Sequence, residues 1–146
     1  MRPATSDDAS AVASVAERAY RPYVDVLGFL PEPLLFDYKE IIDRSETWVV
    51  ERGETVLAFA VFERGITDVH IANIAVDPRH QHEGLGRLLL GHARHIAAEC
   101  DCSLSLYTNV RMARNLRIYL EYGFQLVDRR QIGQFDRYFL RLDPPV

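Results

Sequence analysis

The apolar positions of this chain change period several times, and each change marks an element. Val12, Val15, Ala16, Ala19 and Tyr20 recur at three- and four-residue intervals, one face of a helix that Ser6, Asp7 or Asp8 can cap. Pro22 and Gly28 interrupt that pattern, residues 28–33 read as a loop, and a second helix is predicted over 33–44. The period then falls to two. Thr47–Glu51 and Thr55–Glu63 alternate as strands around a turn at Arg52-Gly53-Glu54, and Asp68–Val76 is a third strand. Leu85, Leu88, Leu89, His92, Ala93 and Ile96 restore helical spacing over 84–99. Ser103–Thr108 is a short strand, and 111–122 is a helix closed by Gly123. Phe124–Arg130 and Phe135–Leu142 are strands around a turn at Gly133. With a short strand within residues 1–5 and an end at Pro144-Pro145, the order is β-α-α-β-β-β-α-β-α-β-β. It predicts a single mixed α/β domain over residues 1–146.

Composition narrows the class. The chain has 146 residues, 48% of them apolar and 26% charged, which suits one soluble domain. No apolar run approaches the roughly 20 residues of a membrane helix, and the N-terminus lacks the apolar core of a signal peptide, so the expected location is cytoplasmic. Net charge is −4, Lys39 is the only lysine, and no basic block stands out, which argues against nucleic-acid binding. The arginines near Arg111, Arg114 and Arg117 and at Arg129-Arg130 read as solvated faces, with a local role near phosphates as the second reading. Cys100 and Cys102 are expected as two reduced thiols rather than a strained disulfide. His92 and His95 are three apart on a helix and read as a polar face, so no metal is expected.

Chemistry concentrates at the end of the third strand. Val76-Asp77-Pro78-Arg79-His80-Gln81-His82-Glu83-Gly84-Leu85-Gly86-Arg87 passes from strand through two glycines into a helix. Backbone N–H groups at such a helix start lack intrahelical partners and favour phosphate. Gly86-Arg87-Leu88 does not supply the Gly-Lys-Ser/Thr of a Walker loop, and the third glycine of a dinucleotide fingerprint is missing. What remains is Q-x-x-G-x-G at Gln81, Gly84 and Gly86. The same pattern also fits a plain tight connection in which the glycines relieve crowding.

Ile74-Ala75-Val76-Asp77-Pro78 followed by Gln81-His82-Glu83-Gly84-Leu85-Gly86 resembles the acyl-CoA motif of the GNAT superfamily of N-acetyltransferases. Leu106-Tyr107-Thr108-Asn109 with Met112, Asn115, Tyr119 and Gly123-Phe124 resembles that superfamily's second motif. The resemblance covers almost the whole chain. It implies the GNAT fold, a central mixed sheet with a splayed strand pair flanked by about four helices. It also implies acetyl-CoA as cosubstrate, with the pantetheine arm on Ile74, Ala75 and Val76 and the diphosphate on the amides from His82 to Arg87, next to Gln81, Glu83 and Leu85. Asn115 matches a position that bonds the pantetheine, and Tyr119 matches the residue beside the thioester sulfur. His82 stands where many members carry glycine, and Met112 where others carry asparagine; Asn109 or Asn115 would take the latter's polar role.

Acetyl transfer needs a neutral amine, a donor for the tetrahedral oxyanion and a proton for the leaving thiolate. An amine of pKa about 10.4 is neutral in only about one molecule in a thousand at pH 7. Tyr119 suits the third task as a proton donor, although a tyrosine at that helical position also reads as core. For the base, Asp68, His70 and Asn73 lie on or near the strand, His70 on the opposite face from Asn73, so at most one of those two meets the substrate directly; a water chain is the alternative. Residues 20–40 are expected over the acceptor, where Tyr20, Tyr23, Phe29, Phe36 and Tyr38 with Asp25, Glu32, Asp37 and Glu40 would suit a cationic amine or merely form core and surface. The expected function is acetyl transfer to a primary amine of a small molecule by direct attack in a ternary complex. The alternatives are a non-catalytic acyl-CoA sensor and a protein N-acetyltransferase. An exposed strand at 135–142 would let two copies pair as a homodimer.

Overall fold

The computed structural model describes residues 1–144; Pro145, part of the expected terminal Pro-Pro stop, lies outside the described residues. Seven strands are hydrogen-bonded in the order β1-β2-β3-β4-β5-β7-β6: β1 (Arg2–Pro3), β2 (Glu46–Arg52), β3 (Thr55–Arg64), β4 (Asp68–Val76), β5 (Ser103–Asn109), β6 (Gln125–Ile132) and β7 (Phe135–Leu142). The helices are α1 (Ala9–Tyr20), a single turn α2 (Val24–Leu27), α3 (Tyr38–Arg44), α4 (Leu85–Glu99) and α5 (Ala113–Tyr122). None is long and apolar enough to cross a membrane. The chain falls into two compact units, one of Met1–Glu63 with Asn73–His92, the other of Arg64–Ala72 with the chain from Ala93 onward.

In the first unit β3 is buried at seven successive residues, Val56–Phe62, as a central strand covered on both faces must be. Val12, Val15 and Ala16 of α1 and Leu89 and Leu90 of α4 are buried, as their helical spacing predicts. α1 is preceded by a 3-10 turn at Ser6–Asp8 whose capping box is closed by Thr5 and Asp8. Arg2 grips Asp8 at 2.8 and 2.9 Å and Glu51 at 2.8 Å, joining the N-terminus to β2. The Arg2 hydrogen bonds hold the Asp8 carboxyl down at about 2. The second helix is shorter than predicted. Glu32–Leu34 forms a separate 3-10 turn containing Pro33, and α3 starts only after Asp37, which accepts from the amides of Lys39 and Glu40.

In the second unit β5 pairs with β7 from Leu104↔Leu142 to Asn109↔Arg137, and β6 pairs with β7 on the other side. β7 therefore lies between two strands, and the outer strand is β6, not the 135–142 segment expected to be open for pairing. All eight residues of β6 are exposed, with Arg129 paired to Asp136 and Arg130 to Asp128. Charges of this kind blunt an open edge. Cys100 and Cys102 form a disulfide rather than two free thiols. The left-handed Asp101 between them, at φ +53°, folds their Cα atoms to 5.3 Å, within bonding range. His92 belongs to the first unit, where it packs edge-on against Trp48; in the second, His95 pairs with Glu99.

Candidate active site

The turn after β4 is built around a buried acid. Asp77 is fully buried, and its amide donates to Leu57 O at 2.8 Å. Its carboxylate caps the 3-10 turn Pro78–His80 by accepting from Arg79 N at 3.0 Å, and it is held by the guanidinium groups of Arg79 (2.9 Å) and Arg18 (2.8 Å). Those bonds, Arg79's foremost, hold the carboxyl well below the usual range. One side chain thus fixes both the helix α1 and the start of the loop.

Gln81, His82, Glu83 and Gly84 then form the turn itself. Gly84 has φ +82°, and a Cβ built there meets nothing within 4 Å. At Gly86 a Cβ would meet only Val76 Cγ2, at 3.9 Å. The first helical bond of α4 runs from Leu88 N–H to Gly84 O at 3.0 Å, so the amides of Leu85 and Gly86 precede the ladder. The Leu85 side chain is buried, and Arg87 is exposed. Open space at glycine beside helix-start amides suits an anion. His82 adopts φ +67° and keeps the left-handed turn that the commoner glycine would make. Glu83 joins the loop to the β2–β3 turn through Arg52 (2.8 Å) and His80 (2.9 Å), and these bonds lower its carboxyl. Sequence reading missed Arg18 and Arg52, because each reaches the loop from a distant element.

On β4, Ala75 is buried and Ile74 and Val76 are half-buried. The parallel β4–β5 register runs Asp68↔Ser103, Val69↔Leu104, His70↔Ser105 and goes no further, although both strands continue. Farther along β4, Ile74 O accepts from Tyr20 Oη at 3.1 Å. Asn73 is buried on the face opposite His70. It accepts from Tyr20 Oη at 2.8 Å and donates to Tyr38 Oη at 3.1 Å, while Tyr38 Oη donates to Pro33 O at 2.7 Å. Burial pushes the Tyr38 phenol up. Tyr38 also meets Phe59 and Phe36 edge-on, at 5.6 and 6.2 Å. Tyr20 and Tyr38 are thus docked on Asn73, with Phe36 against Tyr38. Two of the four carboxylates of the 20–40 segment have other tasks, Asp37 as helix cap and Glu40 in a surface pair with Arg44.

In the second unit α5 places Asn115 and Tyr119 four residues apart, on one face. Asn115 is half-buried and Tyr119 is buried, its ring edge-on to Phe124 at 5.9 Å. The Tyr119 carbonyl accepts from the amides of Gly123 and Phe124, so the helix cap fixes this residue. Met112 is buried at the N-cap without a side-chain cap bond; the Asn109 carboxamide supplies the polar contact there, accepting from Arg111 N at 2.9 Å. His70 is half-buried, with Nδ1 2.9 Å from Ser105 Oγ and its ring stacked on Tyr107 at 5.5 Å.

The fold and the family are shared with known proteins. The acetyltransferase (GNAT) family model matches residues 12–124. A GNAT-family protein from Desulfovibrio desulfuricans superposes with a TM-score of 0.80 at 22% identity, covering 99% of this chain and 98% of its own. A ribosomal-protein-alanine N-acetyltransferase from Escherichia coli gives 0.77 at 21% identity, covering 99% and 92%. The PaiA N-acetyltransferase from Thermoplasma acidophilum, solved with coenzyme A, gives 0.78 at 17% identity, covering 94% and 95%. At these identities the superpositions establish the shared fold, and the family match over most of the chain establishes more: the protein belongs to the acetyltransferase (GNAT) family and is an acetyl-CoA-dependent acetyltransferase.

Proposed function

We propose that the protein transfers an acetyl group from acetyl-CoA to a primary amine of a small molecule, by direct attack in a ternary complex within the cytoplasm. The observation that carries the reading is the turn at the end of β4, where open space at Gly84 and the amides of Leu85 and Gly86 coincide. In this reading the amides from His82 to Arg87, with Gln81 and Glu83 shaping the loop, hold the diphosphate. The stretch of β4 at Ile74, Ala75 and Val76, beyond its ladder with β5 and with Ile74 O next to the Tyr20 hydroxyl, receives the pantetheine as an added strand. Asn115 bonds the same arm, and a β4 amide near Val76 serves the oxyanion.

His70 acts as the base and takes one proton from the acceptor ammonium. The neutral nitrogen attacks the thioester carbonyl, the C–N bond forms and the C–S bond breaks. Tyr119 gives its phenolic proton to the departing thiolate and recovers one from the amide nitrogen through solvent, so the protons balance. The docked aromatics Tyr20, Phe36 and Tyr38 favour an acceptor with apolar surface beside its amine.

A thiol-release assay tests the reading: purified protein, acetyl-CoA, and a panel of a polyamine, an amino acid, an aminoglycoside and a peptide with a free N-terminus. The expected result is amine-dependent release of coenzyme A, fastest with a small amine. Release confined to the peptide would favour a protein substrate, as the E. coli neighbour's name states for that enzyme. Tight acetyl-CoA binding without release from any amine would favour a sensor.

A further inference from the structure

The parallel register places Asp68 beside Ser103 and His70 beside Ser105, so Asp68, His70, Ser105 and Tyr107 share one face of β4 and β5. Ser105 Oγ lies 2.9 Å from Asp68 Oδ2 and 2.9 Å from His70 Nδ1. A carboxylate can only accept, so the one hydroxyl proton of Ser105 points to Asp68. Asp68 Oδ1 is buried and accepts no bond among the described residues, which leaves that hydroxyl as the carboxylate's side-chain donor. Toward His70, Ser105 Oγ then has only lone pairs to offer, and Nδ1 must carry the ring proton. In a neutral imidazole the other nitrogen, Nε2, is left as a bare acceptor. The ring plane is fixed as well. His70 stacks on Tyr107 at an interplanar angle of 29°, and the Arg137 guanidinium lies 4.3 Å from the centre of the Tyr107 ring.

We propose that Asp68 and Ser105 are positioning residues that hold His70 in its Nδ1–H tautomer and so present Nε2 as the proton acceptor for acetyl transfer. The proposal rests on the reading of His70 as the base. The proton balance is simple. Nε2 gains the proton of the acceptor ammonium, and the resulting imidazolium keeps Nδ1–H on Ser105. Ser105 keeps its proton on Asp68. No second proton moves.

Nitrogen NMR of the full chain with isotope-labelled histidine reads the tautomer directly, without an acceptor, and His70→Gln assigns the signal. The expected result is a protonated Nδ1 and a bare Nε2 on neutral His70. Ser105→Ala should shift the ring toward the Nε2–H form, and Ser105→Thr, which restores the hydroxyl, should return it. With the best amine of the panel, Ser105→Ala should lower kcat about tenfold at unchanged acetyl-CoA affinity, and Ser105→Thr should recover it. An Nε2–H tautomer in the unaltered protein, or one indifferent to Ser105→Ala, overturns the relay. Failure of the underlying reading shows separately: His70→Gln with undiminished kcat removes the catalytic role even where the tautomer behaves as expected.

Discussion

In the turn at 77–87 the groups proposed to meet the ligand belong to the backbone; on the face shared by Asp68, His70, Ser105 and Tyr107 they belong to side chains. The turn leaves open space at Gly84, and a buried acid, Asp77, holds the loop in place. The β4–β5 face works through cross-strand register, which sets a serine between an acid and an imidazole. The first kind of site tolerates substitutions that keep the backbone shape, as His82 does at φ +67°. The second depends on individual functional groups and should fail one atom at a time.

That contrast can be broken by substitution. The largest effect is expected at Tyr119. Tyr119→Phe keeps the ring against Phe124 and removes only the hydroxyl, so kcat should fall about 100-fold while acetyl-CoA affinity holds. Parallel losses in steady-state kinetics and calorimetry would assign the residue to packing. At the turn the pattern should reverse. Gly84→Val forces a β-branched residue to φ +82° and fills the open space, so acetyl-CoA affinity should weaken about tenfold or more. In Asp77→Asn the charge-assisted bonds to Arg18 and Arg79 are lost, and denaturant unfolding should show a cost of about 2 kcal/mol.

Acid supplies a reagent-free version of that last test. Asp8 and Asp77 both have folded pKa values below the ordinary carboxylate value of about 3.9, so the unfolded chain binds protons first. Their stabilisation is fully present above pH of about 4 and is lost as pH falls toward about 2, where Asp8 titrates in the folded protein. The thermal midpoint should drop over that window, and less steeply in Asp8→Asn. The smallest effect is expected for His82→Gly, a gain below about 1 kcal/mol, because relief of the left-handed conformation is partly offset by a freer unfolded chain.

The same division explains what the sequence made legible. Asp68–Val76 was readable to the residue because alternation over nine positions admits one register of faces. The glycine turn was readable because its chemistry is written in consecutive residues. The helix predicted over 33–44 failed at its start, where the Asp37 cap and the 3-10 turn around Pro33 decide the boundary locally. Strand order was out of reach of local pattern, so β7 looked like an edge although β6 covers it. The Cys100–Cys102 bond depends on the backbone of Asp101, and the Asp68–Ser105–His70 chain on a parallel register between strands 35 residues apart. Neither leaves a periodic trace.

Calorimetric titration of the purified protein with acetyl-CoA, beside the Gly84→Val variant, bears most directly on the claim that main-chain amides of the turn hold the diphosphate. Saturable one-site binding by the unaltered protein, weakened about tenfold or more in the variant, is the predicted result. No binding by the unaltered protein, or equal binding by both, would contradict it.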